Sequence, residues 1–239
     1  MKPLHEPVVA AVAIAAGDAV LHGDLVIPPS PGGLVIFAHG SGSSRFSQRN
    51  RSVAQVLQHA GLATLLLDLL TPEEDAVDAY TRQYRFDIER LGRRVVAAVD
   101  WATHDERVAG LPIACFGAST GAAAALIAAA ERPADVGAVV SRGGRPDLAG
   151  DVLPLVRAPT LLIVGGLDDE VLLLNERAKR AIRAPVSLEV VPGATHLFEE
   201  PGTLATVSGL ARDWCLRYLG RPSPDASRVA GATGDERDR

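Results

Sequence analysis

Cysteine is nearly absent from this 239-residue chain, which has only Cys115 and Cys215. They fall in an expected strand and an expected helix, so neither a disulfide framework nor a zinc-ligand spacing is available, and both read as buried free thiols. A basic surplus is also missing. With 24 Lys and Arg against 29 Asp and Glu, the net charge is −5, which gives no footprint for phosphate backbones and argues against nucleic acid as a partner. No apolar run approaches the ~20 residues that a membrane-spanning helix needs. The stretch Val8 to Ala16 imitates a short signal peptide ending in Ala13-Ile14-Ala15. However, Pro3, His5, Glu6 and Pro7 break its approach, and the segment serves better as a strand pairing with Ala19 to Ile27. A cytoplasmic location is the resulting expectation.

What is present is 47% hydrophobic and 22% charged residues, enough apolar material for one domain with a substantial core. That domain is expected over residues 1–220. Beyond Gly220 the composition turns to Pro, Ser, Gly, Ala and mixed charge, with Val229 the one large apolar residue, so 221–239 reads as a disordered tail.

Within the domain, Val8 to Ile14 and Ala19 to Ile27 read as an antiparallel hairpin at one edge of a sheet. Leu34 to Ala38 and Leu62 to Leu67 are short apolar strands, with a helix between them carrying Val53, Val56, Leu57 and Ala60 on one face. The acidic stretch Asp68 to Tyr84 shows no clear period, and its first half reads as loop. From Arg85 onward, Ile88, Leu91, Val95 and Val99 mark a helix. Strands at Leu111 to Phe116, Val136 to Ser141, Thr160 to Val164 and Val186 to Val191 then alternate with helices at Ser119 to Glu131 and Val171 to Arg183. A last helix carries Leu204, Val207, Ala211, Trp214 and Tyr218 on one face. Continuous apolar strands alternating with helices indicate a mostly parallel, doubly wound α/β sheet.

The chemistry centres on Gly117-Ala118-Ser119-Thr120-Gly121, a G-x-S-x-G pentapeptide between a strand and a helix. A serine is a poor nucleophile unless it sits on such a tight turn, with backbone N–H groups nearby for the developing oxyanion. Its base must be a histidine and its tautomer-holding group an acid, in the chain order serine, acid, histidine. Of six histidines only His196 follows Ser119, in the loop after the last strand. The acid lies in Gly165-Gly166-Leu167-Asp168-Asp169-Glu170, where Asp168 is preferred, Asp169 is the alternative, and Asp169 and Glu170 can load the next helix N-terminus. The oxyanion hole is expected from the amides of Thr120 and Ser41. His39, beside Ser41, reads as a structural residue. The Gly/Ser loop from 39 to 44 could otherwise cradle phosphate, but it has no Walker lysine and no G-x-G-x-x-G spacing.

The segments HGSGSSR (39–45), RFDIERL (85–91), FGASTGAAAAL (116–126), SRGGRPDLA (141–149), LLIVGGLDDEVLLLN (161–175) and VPGATHLFEEPG (191–202) together resemble the dienelactone hydrolase family of α/β-hydrolases. The resemblance covers roughly residues 8–219. It implies the α/β-hydrolase fold, with Ser119 as nucleophile, Asp168 as acid and His196 as base, and without cofactor or metal. Dienelactone hydrolases proper carry a cysteine nucleophile where this chain has serine, so the family name transfers better than the substrate. Relatives of this serine-bearing kind are sometimes fused to a phosphoribosyltransferase module, for which 239 residues leave no room.

Only Arg142 to Ala158 separates two strands, too short for an inserted lid, which disfavours a long-chain lipase. Arg45, Arg142 and Arg145 stand near strand ends and could hold a carboxylate or phosphate of the substrate, the competing use being surface pairing with Asp147 or Asp151. The expected activity is hydrolysis of small esters, lactones or thioesters. An acyltransferase using the same triad and a non-catalytic small-ligand binder are the alternatives.

Overall fold

The structure, a computed structural model, describes residues 6–220. The tail expected over 221–239 and the first residues before the hairpin lie outside them. One sheet of eight strands runs β1 Val8–Ala16, β2 Ala19–Ile27, β4 Ala63–Leu67, β3 Leu34–Ala38, β5 Ile113–Ala118, β6 Val136–Arg142, β7 Thr160–Gly165 and β8 Val186–Val191 in spatial order. The β1–β2 hairpin joins antiparallel to β4, and every pairing from β4 through β8 is parallel. The doubly wound sheet and its antiparallel edge are therefore as the apolar pattern indicates.

Alternate residues of the central strands feed two cores. Leu34, Ile36, Cys115 and Val139 pack toward α3 Ile88–His104 and α4 Thr120–Glu131. Val35, Phe37, Phe116 and Val140 pack toward α1 Gln48–His59 and α6 Thr203–Leu219. The Phe37 and Phe116 rings lie 4.7 Å apart, and burying each contributes roughly 1.5–3 kcal/mol. Close approach on the other face depends on small residues. A Cβ at Gly92 of α3 would come within 2.7 Å of Ile127 on the alanine-rich α4. Cys115 and Cys215 are buried, and burial pushes both thiols up to about 12.

One expectation is corrected here. The acidic stretch, whose first half was read as loop, enters a helix from Pro72, α2 Pro72–Thr81. Thr71 caps it through a reciprocal box, its hydroxyl accepting the Glu74 amide at 3.3 Å while Glu74 accepts the Thr71 amide at 2.9 Å. Helical period is weak there because α2 buries almost nothing apolar; its one buried residue is Asp78. Charge holds it instead. Glu74 receives two bonds from the buried Arg94 and one from Arg90. Asp78 accepts the amides of Tyr84 and Arg85 and the Arg85 Nε.

After β6 the chain makes a ten-residue 3-10 segment, Pro146–Leu155, kinked at Gly150. This compact connection leaves the carboxyl ends of the strands open, where such sheets build their sites. β8 forms the far edge, and most of its residues are only half-buried.

Candidate active site

Ser119 sits between the last residue of β5 and the first of α4, at φ 50° and ψ −120°. A non-glycine residue pays roughly 1–3 kcal/mol for such a backbone, so the surroundings must enforce it. They do so by closeness. A Cβ at Gly117 would lie 2.3 Å from the Ala122 Cα, and one at Gly121 would lie 2.3 Å from the Ala38 carbonyl oxygen. Only glycine at both positions lets the turn form against β3. The Ser119 amide donates to the Arg142 carbonyl at 3.2 Å, and its own carbonyl accepts the Arg145 amide at 3.0 Å.

Two further turns converge on this serine. Asp168 follows β7, with its amide on the Gly165 carbonyl at 3.0 Å, and the Leu167 amide reaches the Ala194 carbonyl at 2.9 Å. The aspartate turn is thereby fastened to the loop that carries His196. The Asp168 Oδ2 lies 2.6 Å from His196 Nδ1, and His196 Nε2 lies 3.3 Å from the Ser119 Oγ. An ionised Asp168 fixes the proton on Nδ1 and leaves Nε2 as an acceptor facing the hydroxyl. Between the two acidic candidates, the structure brings Asp168 to the histidine, while Asp169 opens α5 Asp169–Ala181 together with Glu170. Thr195 holds the histidine loop from below, bonding Glu200 through its hydroxyl at 2.6 Å and its amide at 3.1 Å.

The loop after β3 passes close to this serine, with a Cβ at Gly40 falling 3.1 Å from the Ser119 Cβ. His39 anchors it. Its Nε2 accepts the Leu69 amide at 3.0 Å, so Nδ1 carries the proton and donates to the Gly40 carbonyl at 2.9 Å. Burial lowers the His39 pKa, opposed only in part by the Gly40 bond and the charges of Asp68 and Asp75. His39 is a neutral structural residue, as its position suggested. The Ser41 amide has no backbone acceptor among the described residues and follows directly on this anchored segment. Thr120 supplies the first amide of α4, where the helix leaves its N–H groups unpaired.

The three arginines expected near the site part company. Arg45 is engaged by Asp68, and by Asp24 at 3.4 Å. Arg145 forms a two-pronged pair with Asp147 at 2.9 and 2.8 Å. Arg142 is buried without such a pair. Sequence reasoning passed over Arg49, which reaches Glu199 of the histidine loop at 2.9 Å. It also passed over Asn175, whose buried amide donates to the Gly144 carbonyl at 2.9 Å and steadies the turn beside Ser119. A polar residue amid the apolar positions of α5 was the available signal for the latter. Among the described residues no group of His, Cys, Asp and Glu is arranged to hold a metal ion, and no helix is long and apolar enough to cross a membrane.

The fold is shared with solved structures. A structure of a dienelactone hydrolase from Anabaena variabilis is 57% identical, superposes with a TM-score of 0.88, and covers 90% of this chain and 100% of that one. Est1E from Butyrivibrio proteoclasticus shares the fold at 17% identity, with a TM-score of 0.74 over 87% of this chain and 98% of that one. A Mycobacterium tuberculosis protein whose name proposes a phosphoribosyl transferase is 57% identical over 213 residues, 89% of this chain, and this chain spans 47% of its length. The profile of the Dienelactone hydrolase family matches residues 21–212. With that match and the eight-stranded, doubly wound architecture, the chain is a member of the dienelactone hydrolase family and has the α/β-hydrolase fold.

Proposed function

We propose that this chain is a serine hydrolase acting on small esters, lactones or thioesters through an acyl-enzyme. The observation that carries the reading is the line of contacts from Asp168 through His196 to Ser119, at 2.6 and 3.3 Å, on a strained strand-to-helix turn. Ser119 Oγ attacks the carbonyl carbon as His196 Nε2 takes its proton. Asp168 holds the Nδ1–H and stabilises the imidazolium that forms. The amides of Ser41 and Thr120 receive the oxyanion. His196 then returns the proton to the departing oxygen or sulfur, and a water activated by the same nitrogen releases the acyl group. Every proton moves between side chains of this chain, substrate and water.

The transferase proposed in the mycobacterial relative's name is that of a protein of which this chain spans about half. A fluorophosphonate probe tests the hydrolase reading. Mass spectrometry should place the adduct on Ser119, and both Ser119→Ala and His196→Ala should abolish it. A folded wild type that stays unlabelled would remove the nucleophile and leave a ligand-binding protein as the better account.

A further inference from the structure

The edge of a sheet exposes a row of unpaired N–H and C=O groups, which native chains blunt with charged side chains, proline, bulges, shortness or cover. The two edges of this sheet differ in that respect. β8 is six residues long and carries Glu189. β1 runs for nine residues, Val8-Val9-Ala10-Ala11-Val12-Ala13-Ile14-Ala15-Ala16, without a charge or a proline. Its register with β2 continues from Val8 against Ile27 to Ala16 against Ala19 without a bulge. Among the described residues no strand pairs with its outer side.

The hairpin turn fixes which groups are open. Gly17 and Asp18 make a two-residue turn, with Gly17 at φ 67°. Such a turn is closed by a hydrogen-bonded pair, here Ala16 with Ala19, and bonded pairs recur at every second residue. Ile14, Val12, Ala10 and Val8 therefore direct their backbone to β2. The Asp68 amide donates to the His22 carbonyl at 2.9 Å, which agrees with this phase, because His22 faces β4 and its partner Ala13 must face away from β2. Val9, Ala11, Ala13 and Ala15 thus turn their N–H and C=O groups outward. Their side chains share one exposed face, on which Val9 is 73% exposed, while Val12 and Ile14 point into the core.

We infer that β1 pairs antiparallel with β1 of a second copy, about a twofold axis near the middle of the strand, so that two sheets become one. Geometry and charge name this occupant. A strand set antiparallel to its own copy is self-complementary and closes at two chains, whereas β1 against β8 of another copy would leave free edges and grow an open filament. With a net charge of −5, copies of this chain repel one another overall. β1 offers a contact that brings no charged strand residues together, and nearby Asp24 is already paired with Arg51 and Arg45. Alanine at 11, 13 and 15 puts no bulky side chain in the way of approach. A nine-residue strand presents an edge about 30 Å long and about 10 Å thick. That is roughly 300–500 Å² on each copy, the size class of a weak, reversible association rather than an obligate dimer. The dissociation constant should accordingly fall at about 1–100 μM. β2, β4 and β3 stand between this edge and the strand that carries Ser119, so the inference is independent of the hydrolase reading.

Sedimentation equilibrium across that concentration range measures the association, and residue-resolved amide exchange at its two ends identifies the surface. The average mass should rise from one chain toward two, and exchange of the Val9, Ala11, Ala13 and Ala15 amides should slow about tenfold or more at the high end. The double variant Ala11→Lys with Ala13→Lys sets like charges opposite one another across the axis. Ala13→Pro removes an outward N–H without touching the β2 ladder. Both should weaken association about tenfold or more, while Val20→Lys, on the exposed face of β2 but off the edge, should leave it unchanged. A chain that stays monomeric throughout overturns the inference, and so does association that both edge variants leave intact. Dissociation by Val20→Lys as complete as that by the edge variants would assign the contact to the hairpin face instead. Slow β1 exchange that does not depend on concentration would assign the cover to another part of the same chain, and either result overturns the pairing. Circular dichroism establishes that the variants fold; if they do not, the wild-type mass and exchange decide alone.

Discussion

Gly121→Ala tests whether the Ser119 turn depends on backbone contact rather than on any side chain. The added Cβ would stand 2.3 Å from the Ala38 carbonyl oxygen and 2.5 Å from that of His39, where ordinary contact begins at 3.4 Å. Roughly 1 Å must therefore be recovered, and neither oxygen can rotate away, because both belong to the backbone at the end of β3. The helix has to retreat. That motion draws the Thr120 amide from the Ser41 amide and shifts Ser119 relative to His196. A misplacement of about 1 Å costs on the order of 100-fold in rate, and overpacking of this kind costs about 1–3 kcal/mol of stability. The rate of Ser119 labelling and kcat on a phenyl ester measure the first, and urea unfolding measures the second. Gly209→Ala in α6 is the control, since nothing lies within 4 Å of its Cβ. It should leave the rate unchanged and stabilise the helix slightly. A Gly121→Ala protein that is labelled within threefold of wild type would refute the reasoning.

Asp168→Asn should preserve the fold and lower kcat by about four orders of magnitude, because an amide can hold the imidazole in the wrong tautomer; Asp169→Asn should do far less, and equal losses would reopen the choice of acid. Glu74→Ala should cost about 3–5 kcal/mol in urea unfolding, since it leaves the buried Arg94 without its carboxylate. Burial pushes the Glu74 carboxyl up, but bonds from Arg94 and the Thr71 amide and the charges of Arg94 and Arg90 outweigh it and hold the pKa below its ordinary 4.5. Its stabilisation is therefore complete above that value and fades as pH falls through the lower folded one. For His39 the folded pKa also lies below its ordinary 6.5, so the unfolded chain takes up the proton first. Stability should then decline as pH drops below 6.5, and His39→Asn should flatten that part of a pH series of unfolding midpoints.

The sheet was legible because β3, β4, β5 and β7 are buried along their whole length and leave uninterrupted apolar runs. The meeting of Ser119, Asp168 and His196 was legible for a different reason, since each lies just beyond a strand and only one histidine follows the serine. α2 was not, because its stability comes from a cap and from Glu74 and Asp78 rather than from an apolar stripe; Thr71-Pro72-Glu73-Glu74 was the signal that hydrophobic period overlooked. The sorting of the arginines was legible only for Arg145, whose pairing with Asp147 was one of the two uses read from the sequence. Which guanidinium finds a carboxylate depends on neighbours such as Asp68 and Asp24, which are distant in sequence from Arg45.

The position of His196 after an edge strand has a consequence for inactivation. Ser119 hangs from β5, which has neighbours on both sides, whereas the histidine loop hangs from β8, which among the described residues has a neighbour on one side only and is half-exposed. Fraying of that outer strand would carry His196 away while the serine turn and most helices stay in place. Under mild heat or urea, turnover should therefore disappear before helical circular dichroism does, and the gap between the two midpoints would gauge how firmly one border of the sheet is sewn to the rest.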